Sequence, residues 1–510
     1  MTQLGEFRKF PRRASIALLG AAVVAAGSTT ETAATTTPRP ITISWSRCKE
    51  ARALQCGRLS VPLDTTNPGK ETISLALVRA KARIPKQRLG VLFVNPGGPG
   101  GSAVDFAQQI ADSDLIANIR DRYDIVGWDP RGVARSSPVR CLANDDYTRF
   151  YGADPTPDNP AETAELIAVS KLFVAGCVKR NGVLLQHVST ADTVADMERI
   201  RVALGEDKVS LLGFSYGTYL GSRYADRYPN RVGRFVLDGV LDPAVGADDR
   251  VRLQAAGFER DLTDFLKTCG RSTCTFPQSG ETPVVAFDRL MARFETTPME
   301  VRTSTGRAPL GKSVFRKIGP GEAMTGVLAA LYNVEAGWPR LRDALNAVGR
   351  GDGRGLLALF DLYADRDSNG VYGNVSDSNA AVNCSDLPSD HEFADYERLA
   401  KELDSKFPHF GAFAAYSALL CAYWPTGGRP PKAVRAVGAP PILLVGTTRD
   451  PATPYVWATA VQKELGNAAL LTYDGDGHTA FLTGNRCVGK VVEAYLLAGT
   501  LPAPGTVCDA

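Results

Sequence analysis

Three side chains far apart in the chain, Ser215, Asp450 and His478, have the types and settings needed for acyl transfer. A serine hydroxyl is a weak nucleophile until a base takes its proton, and the base needs a carboxylate to orient it and balance its charge. Ser215 stands in Gly213-Phe214-Ser215-Tyr216-Gly217, after the apolar run 209–212 and before a helix-compatible stretch with Tyr219, Leu220 and Tyr224. This is G-x-S-x-G between a strand and a helix, where a strained turn presents the hydroxyl and the glycines two places either side relieve the crowding. A chance Gly/Ser turn is the bland alternative, and the strand-to-helix setting argues against it.

Of the four histidines, three follow Ser215: His391, His409 and His478. His478, in Asp474-Gly475-Asp476-Gly477-His478-Thr479, directly follows the apolar run 469–471, so it sits in a loop at a strand's C-terminal end. His187, His391 and His409 read as surface or packed structural side chains. For the acid, Asp450 follows the run 442–445, one strand before the histidine, in the order serine, acid, histidine found when such a serine turn sits on an α/β-hydrolase sheet. Asp238, at the end of the preceding core strand, is the next candidate. Asp474 and Asp476 are too close to His478 in sequence to fold back easily onto its far nitrogen. The developing oxyanion needs two backbone N–H groups. Asn95-Pro96-Gly97-Gly98-Pro99-Gly100-Gly101-Ser102 follows the run 91–94 and offers Gly97, with Gly98 in reserve; Tyr216, after the nucleophile, offers the second. A phosphate cradle is the rival use of this loop, but it lacks the Lys-Ser/Thr ending of a P-loop and its two prolines remove N–H donors.

Six runs apolar throughout, at 91–94, 125–128, 209–212, 235–237, 442–445 and 469–471, suit strands covered on both faces, and 73–78 partly alternates like an edge strand. Between them lie helical patterns, the clearest starting near Thr190 with Val194, Met197, Ile200 and Leu204 on one side and Gly205 as a stop. Alternating strand and helix predicts an α/β fold of the α/β-hydrolase type, a mainly parallel sheet with helices on both faces. The alternation breaks after 235–238 and resumes at 442, with helix-like segments between, so residues 245–430 read as a helical cap inserted between core segments 41–244 and 431–510. Such an insertion would lie over the strands' C-terminal edge, where open α/β sheets bind ligands.

The N-terminus runs Arg8-Lys9-Phe10-Pro11-Arg12-Arg13, then an uncharged Ala-, Leu- and Val-rich run from 14 to 27. Residues 1–28 read as a signal peptide and 29–40 as a flexible leader. A retained anchor is the competing reading, and the run is short and Ala-rich for a span. In an exported chain, ten cysteines imply disulfides. Short loops close most easily, which favours sequential pairs: Cys48 with Cys56, Cys141 with Cys177, Cys269 with Cys274, Cys384 with Cys421, and Cys487 with Cys508. A zinc site would need short paired Cys/His spacings that are not present. The charge balance, 58 basic against 55 acidic residues, gives no reason to expect nucleic acid as a partner, and nothing in the motifs calls for a metal or cofactor.

Together, Asn95-Pro96-Gly97-Gly98-Pro99-Gly100, Gly127-Trp128-Asp129-Pro130-Arg131-Gly132, Gly213-Phe214-Ser215-Tyr216-Gly217, Arg449-Asp450-Pro451-Ala452-Thr453-Pro454 and Gly477-His478-Thr479 resemble the secreted tripeptidyl aminopeptidases of actinobacteria, relatives of proline iminopeptidases. The resemblance spans nearly the whole mature chain. It implies a secreted serine exopeptidase that acts on peptides with free N-termini through Ser215, Asp450 and His478, with Asp129 and Arg131 as scaffold. Some family members are lipoproteins; this chain has no cysteine at the end of its apolar run. An exopeptidase must also hold a substrate ammonium group, which favours a carboxylate from the cap, Asp386 among several. The rival classes are a carboxylesterase or lipase with the same three residues, and a binding protein that kept only the fold.

Overall fold

Apolar runs form buried strands because a parallel sheet covered by helices has no wet face to alternate with. In the computed structural model, which describes residues 42–49, 51, 53–69, 71–269, 274–303, 314–387 and 391–510, all seven runs are strands. The segments read as signal peptide and leader lie outside the described residues. In chain order the strands are β1 (Ser44–Arg47), β2 (Gln55–Pro62), β3 (Thr72–Ala80), β4 (Gly90–Asn95), β5 (Tyr123–Trp128), β6 (Val209–Phe214), β7 (Val232–Asp238), β8 (Met299–Thr303), β9 (Val314–Ile318), β10 (Ile442–Arg449), β11 (Ala468–Asp476) and β12 (Val507–Asp509).

One sheet runs β1-β2-β3-β5-β4-β6-β7-β10-β11-β12; β4 to β7 and β10 to β12 are parallel, and β1, β2 and β3 join antiparallel at one edge. Along β4, Leu92 and Val94 face one helical layer with Val104, Ile110 and Val492, while Val91 and Phe93 face the other with Met197, Ile200 and Leu220. The helix expected near Thr190 spans Thr190–Leu204 and ends on Gly205 at φ +72°, a left-handed cap that glycine adopts without steric cost. Strand order reverses between β4 and β6, with β5 on one side of β4 and β6 on the other. Loops leaving such a switch point diverge and open a crevice at the strands' C-terminal ends. The Gly-rich loop leaves β4 there, and the Ser215 turn leaves β6.

Between β7 and β10 lie the helices Ala247–Cys269, Pro283–Thr296, Pro320–Leu331, Gly337–Gly349, Arg354–Tyr363, Val375–Asp386, Phe393–Asp404 and Gly411–Ser417, and the hairpin β8–β9. The hairpin departs from the all-helical character that the spacing predicts for this segment. There is also a second contribution to this layer: Cys141, Tyr147, Phe173 and Cys177, from the stretch between β5 and β6, share one core cluster with Leu262, Phe287, Leu328 and Leu345. The long helix Pro160–Asn181 therefore packs against the β7–β10 excursion.

The five disulfides join the expected sequential pairs. Cys141–Cys177 closes the longest of these loops but one, 36 residues, and locks the helix Pro160–Asn181 to the end of the chain segment after β5. Loop closure of that length restrains the unfolded chain by about 3–4 kcal/mol. Replacing both cysteines by serine is expected to lower unfolding stability by about that amount, read by denaturant titration, and non-reducing peptide mapping of the unaltered protein should return the same five pairs.

Candidate active site

β6 ends at Phe214, and the chain turns into the helix Tyr216–Arg227 through a single residue, Ser215, at φ +54° and ψ −124°. A non-glycine residue there costs roughly 1–3 kcal/mol unless its surroundings hold it. They do: the Ser215 N–H donates to the Asp238 carbonyl at 3.0 Å, and the Thr218 N–H and hydroxyl donate to the Ser215 carbonyl at 2.8 and 2.6 Å. The turn also demands small neighbours. A Cβ on Gly217 would lie 2.8 Å from the Asn95 carbonyl oxygen, and one on Gly213 would lie 2.7 Å from that of Gly217. Gly97 is closer still, since its Cβ would meet the Phe214 oxygen at 2.5 Å and Ser215 Cβ at 2.8 Å. The Gly-rich loop therefore touches the serine turn.

That loop departs from the sequence expectation in one respect. The Gly97 N–H donates to Asn95 Oδ1 at 2.9 Å, because the asparagine side chain folds forward over its own loop as an Asx turn. Gly97 N–H is thus already engaged, whereas the N–H groups of Gly98, the reserve candidate, and of Tyr216 make no hydrogen bond among the described residues. Asp129 steadies the far end of the loop, accepting from the Ser102 hydroxyl at 2.7 Å and the Val104 N–H at 3.1 Å. Arg131 is fully buried, paired through two nitrogens with Asp196 and hydrogen-bonded to the carbonyls of Pro62, Leu63 and His187. Both residues are scaffold, as the motif resemblance implies.

His478 follows β11, and its Nδ1 lies 2.9 Å from each oxygen of Asp450, which follows β10. The carboxylate is buried and fixed by the N–H groups of Ala452 and Thr453 at 2.9 and 2.8 Å and by the Thr453 hydroxyl at 2.8 Å. Thr453, the fourth residue of Asp450-Pro451-Ala452-Thr453, is a partner that sequence reasoning missed although it lies within the quoted motif. His478 Nε2 is buried and has no hydrogen-bond partner among the described residues. The imidazole stands over the sheet edge next to Gly239, where a Cβ would lie 3.1 Å from its Cε1; Gly239 and Ser215 both hydrogen-bond Thr218 through their carbonyls. A cavity of about 220 Å³ is walled by Pro96 of the Gly-rich loop, Phe214 beside the serine, His478, Leu482 and Tyr332. The three loops thus converge on one space.

The rival acids have other partners. Asp238 accepts from the N–H groups of Ala480 and Phe481, at 3.1 and 2.8 Å, and pins the chain just beyond His478; burial pushes its carboxyl up to about 6, against those hydrogen bonds. Asp474 and Asp476 both bind Arg449, at 2.9 and 2.6 Å. Asp386 accepts from the N–H and hydroxyl of Thr190, which also meets the Tyr216 hydroxyl; burial pushes it up to about 6, opposed by those bonds and by Arg250 and Arg223. His409 bridges Glu259 and Asp288, and His391 lies 3.6 Å from Asp248. Neither is at the sheet edge with Ser215 and His478.

The sequence matches a family profile described as TAP-like protein over residues 405–508 and one described as alpha/beta hydrolase fold over residues 90–320. The serine protease Hip1 of Mycobacterium tuberculosis is 35% identical over 484 residues, covering 91% of each chain. Carboxylesterase B of the same organism is 36% identical over 507 residues, covering 95% of this chain and 94% of the relative. The tripeptidyl aminopeptidase of Streptomyces lividans is 31% identical over 485 residues, covering 91% and 86%.

Burial alone would depress the His478 pKa, but the charge and hydrogen bond of Asp450, with Asp238 behind, outweigh it and hold the imidazole above its ordinary 6.5. Removing the Asp450 charge removes most of what favours the cation. His478 is therefore expected to titrate above 6.5 in the unaltered protein and to shift downward in Asp450→Asn, measured by nitrogen-15 chemical shift against pH; an upward shift would contradict this electrostatic account.

Proposed function

The chain belongs to the tripeptidyl aminopeptidase-like family of α/β hydrolases, and we propose that it is a serine exopeptidase releasing short peptides, tripeptides by family resemblance, from free N-termini. Ser215 is the nucleophile, His478 the general base and Asp450 the carboxylate that orients it. The observation that carries this reading is the state of the imidazole: Nδ1 is held by a buried carboxylate, which leaves Nε2 unpartnered at the edge bearing Ser215. The Ser215 hydroxyl and Nε2 are not hydrogen-bonded to each other in the structure; nucleophile–base bonds are often open before substrate arrives and tighten in the Michaelis complex.

In the reaction, Nε2 takes the Ser215 proton as Oγ attacks the carbonyl carbon. The oxyanion forms against the N–H groups of Tyr216 and Gly98. His478, now a cation facing Asp450, gives its proton to the departing amine, and water enters by the same route in reverse to free the N-terminal peptide. The segment between β7 and β10 acts as the cap that closes the acyl side and limits the number of residues admitted, and one of its carboxylates receives the substrate ammonium. We place the mature protein outside the cytoplasm, because five disulfides persist in oxidising compartments. Among the described residues no helix is long and apolar enough to cross a membrane.

A carboxylesterase is the second reading, favoured by the similarity to Carboxylesterase B. Ester and amide cleavage share the acyl-enzyme and differ in leaving group and pocket. A matched tripeptide anilide is expected to react with a kcat/KM well above that of a short acyl ester, and the reverse order would favour the esterase.

A fluorophosphonate probe should label Ser215. Ser215→Ala should fold normally and lose about 10⁶-fold in kcat, and Asp450→Asn should lose about 10⁴-fold by permitting the wrong histidine tautomer. Activity undiminished in folded Ser215→Ala would refute the assignment.

A further inference from the structure

Tyr332 follows the helix Pro320–Leu331, in the excursion between β7 and β10, yet it touches His478 twice. Its carbonyl accepts the His478 backbone N–H at 2.9 Å. Its ring meets the imidazole edge to face, with centroids 5.5 Å apart and planes at 74°. The Tyr332 ring also lies beside that of Tyr363, with centroids 6.3 Å apart. Phe258 packs on the ring at 5.3 Å, and Phe410 packs on Phe258 at 5.6 Å, so the tyrosine is fixed from behind.

His478 needs such support. It precedes Thr479, a non-glycine residue at φ +69°, and such a backbone keeps its shape only where outside partners impose it. The partners downstream of the ring come from the sheet: Asp450 accepts the Thr479 N–H at 3.3 Å, and Asp238 accepts those of Ala480 and Phe481. The partner of His478's own N–H comes from Tyr332. A Cβ on Gly477 would lie 3.4 Å from the Tyr332 oxygen, so the two chains run against one another at this point.

We infer that Tyr332 is a positioning residue for the proposed general base: its carbonyl sets the height of His478 over the sheet edge, and its ring sets the tilt of the imidazole about the Asp450 hydrogen bond. The inference rests on the triad reading above and deepens it. Asp450 fixes only one end of the ring, so the plane can still swing about the Nδ1 contact, and the tyrosine ring set against it blocks that swing. Seating the excursion over the sheet and aiming Nε2 at Ser215 are then one event.

The test uses Tyr332→Leu and Tyr332→Phe in the full chain, with two readouts: the rate constant for phosphonylation of Ser215 by a small fluorophosphonate, and kcat and KM for a tripeptide anilide. Misplacing a catalytic group by an ångström costs on the order of 10²-fold, so Tyr332→Leu should slow phosphonylation and kcat together by about 10- to 100-fold while KM stays within about twofold. Both variants keep the backbone carbonyl, so the pair tests the ring: Tyr332→Phe retains it and should recover both rates to within about threefold. A raised KM with unchanged phosphonylation would make Tyr332 a substrate contact and overturn the inference. If Tyr332→Leu does not fold, Phe258→Leu loosens the ring from behind; the same paired slowing supports the inference, and unchanged rates overturn it. Failure of the unaltered protein to be labelled at all would instead remove the triad reading itself.

Discussion

The left-handed conformation of Ser215 is the constraint around which the rest is arranged. An ordinary residue at that φ pays a steric penalty, and it is kept there by three hydrogen bonds from β7 and the following helix and by glycines on every side. The same crowding fixes the Gly-rich loop, because Gly97 can approach Ser215 only without a side chain. The position of the loop is thus a consequence of the turn, and its free N–H groups follow from how Asn95 folds across it.

Electrostatics divides the acids near the site by their partners. Asp450, Asp238, Asp474 and Asp476 lie close in space or sequence, and each is candidate enough by composition. Backbone and threonine donors turn Asp450 toward the imidazole. Asp238 spends its oxygens on the loop after His478, and Arg449 occupies the two acids of β11. A buried carboxylate with such different surroundings can support a cation, brace a loop or balance an arginine, and burial raises Asp238 while leaving it anchored.

The layer over the sheet is held together differently. Its core joins residues from two separate stretches of chain, before and after the serine turn, and disulfides fasten each stretch internally. It reaches the sheet's working edge at discrete points: Asn379 donates to the Pro99 carbonyl at 3.1 Å, Asp386 binds Thr190, and Tyr332 meets His478. Each contact lands on a loop leaving the C-terminal end of a strand or on the start of a helix beside it.

Local pattern carried much of this. The apolar runs, the G-x-S-x-G turn and the Thr190 helix with its glycine stop depend on neighbours a few residues away, and the sequential cysteine pairs on short loops of at most 37 residues, so both could be read from order alone. Ser215, Asp450 and His478 each stand just past the end of a strand, which is also a local property. What needed the folded chain were choices between equivalent groups at long range. No spacing shows that the Asn95 side chain takes the Gly97 donor, that residues 139–188 pack with a layer beginning a hundred residues later, or that Tyr332 lies against the imidazole. Those depend on which groups packing brings into contact, and distance in space, unlike periodicity, leaves no mark in the order of residues.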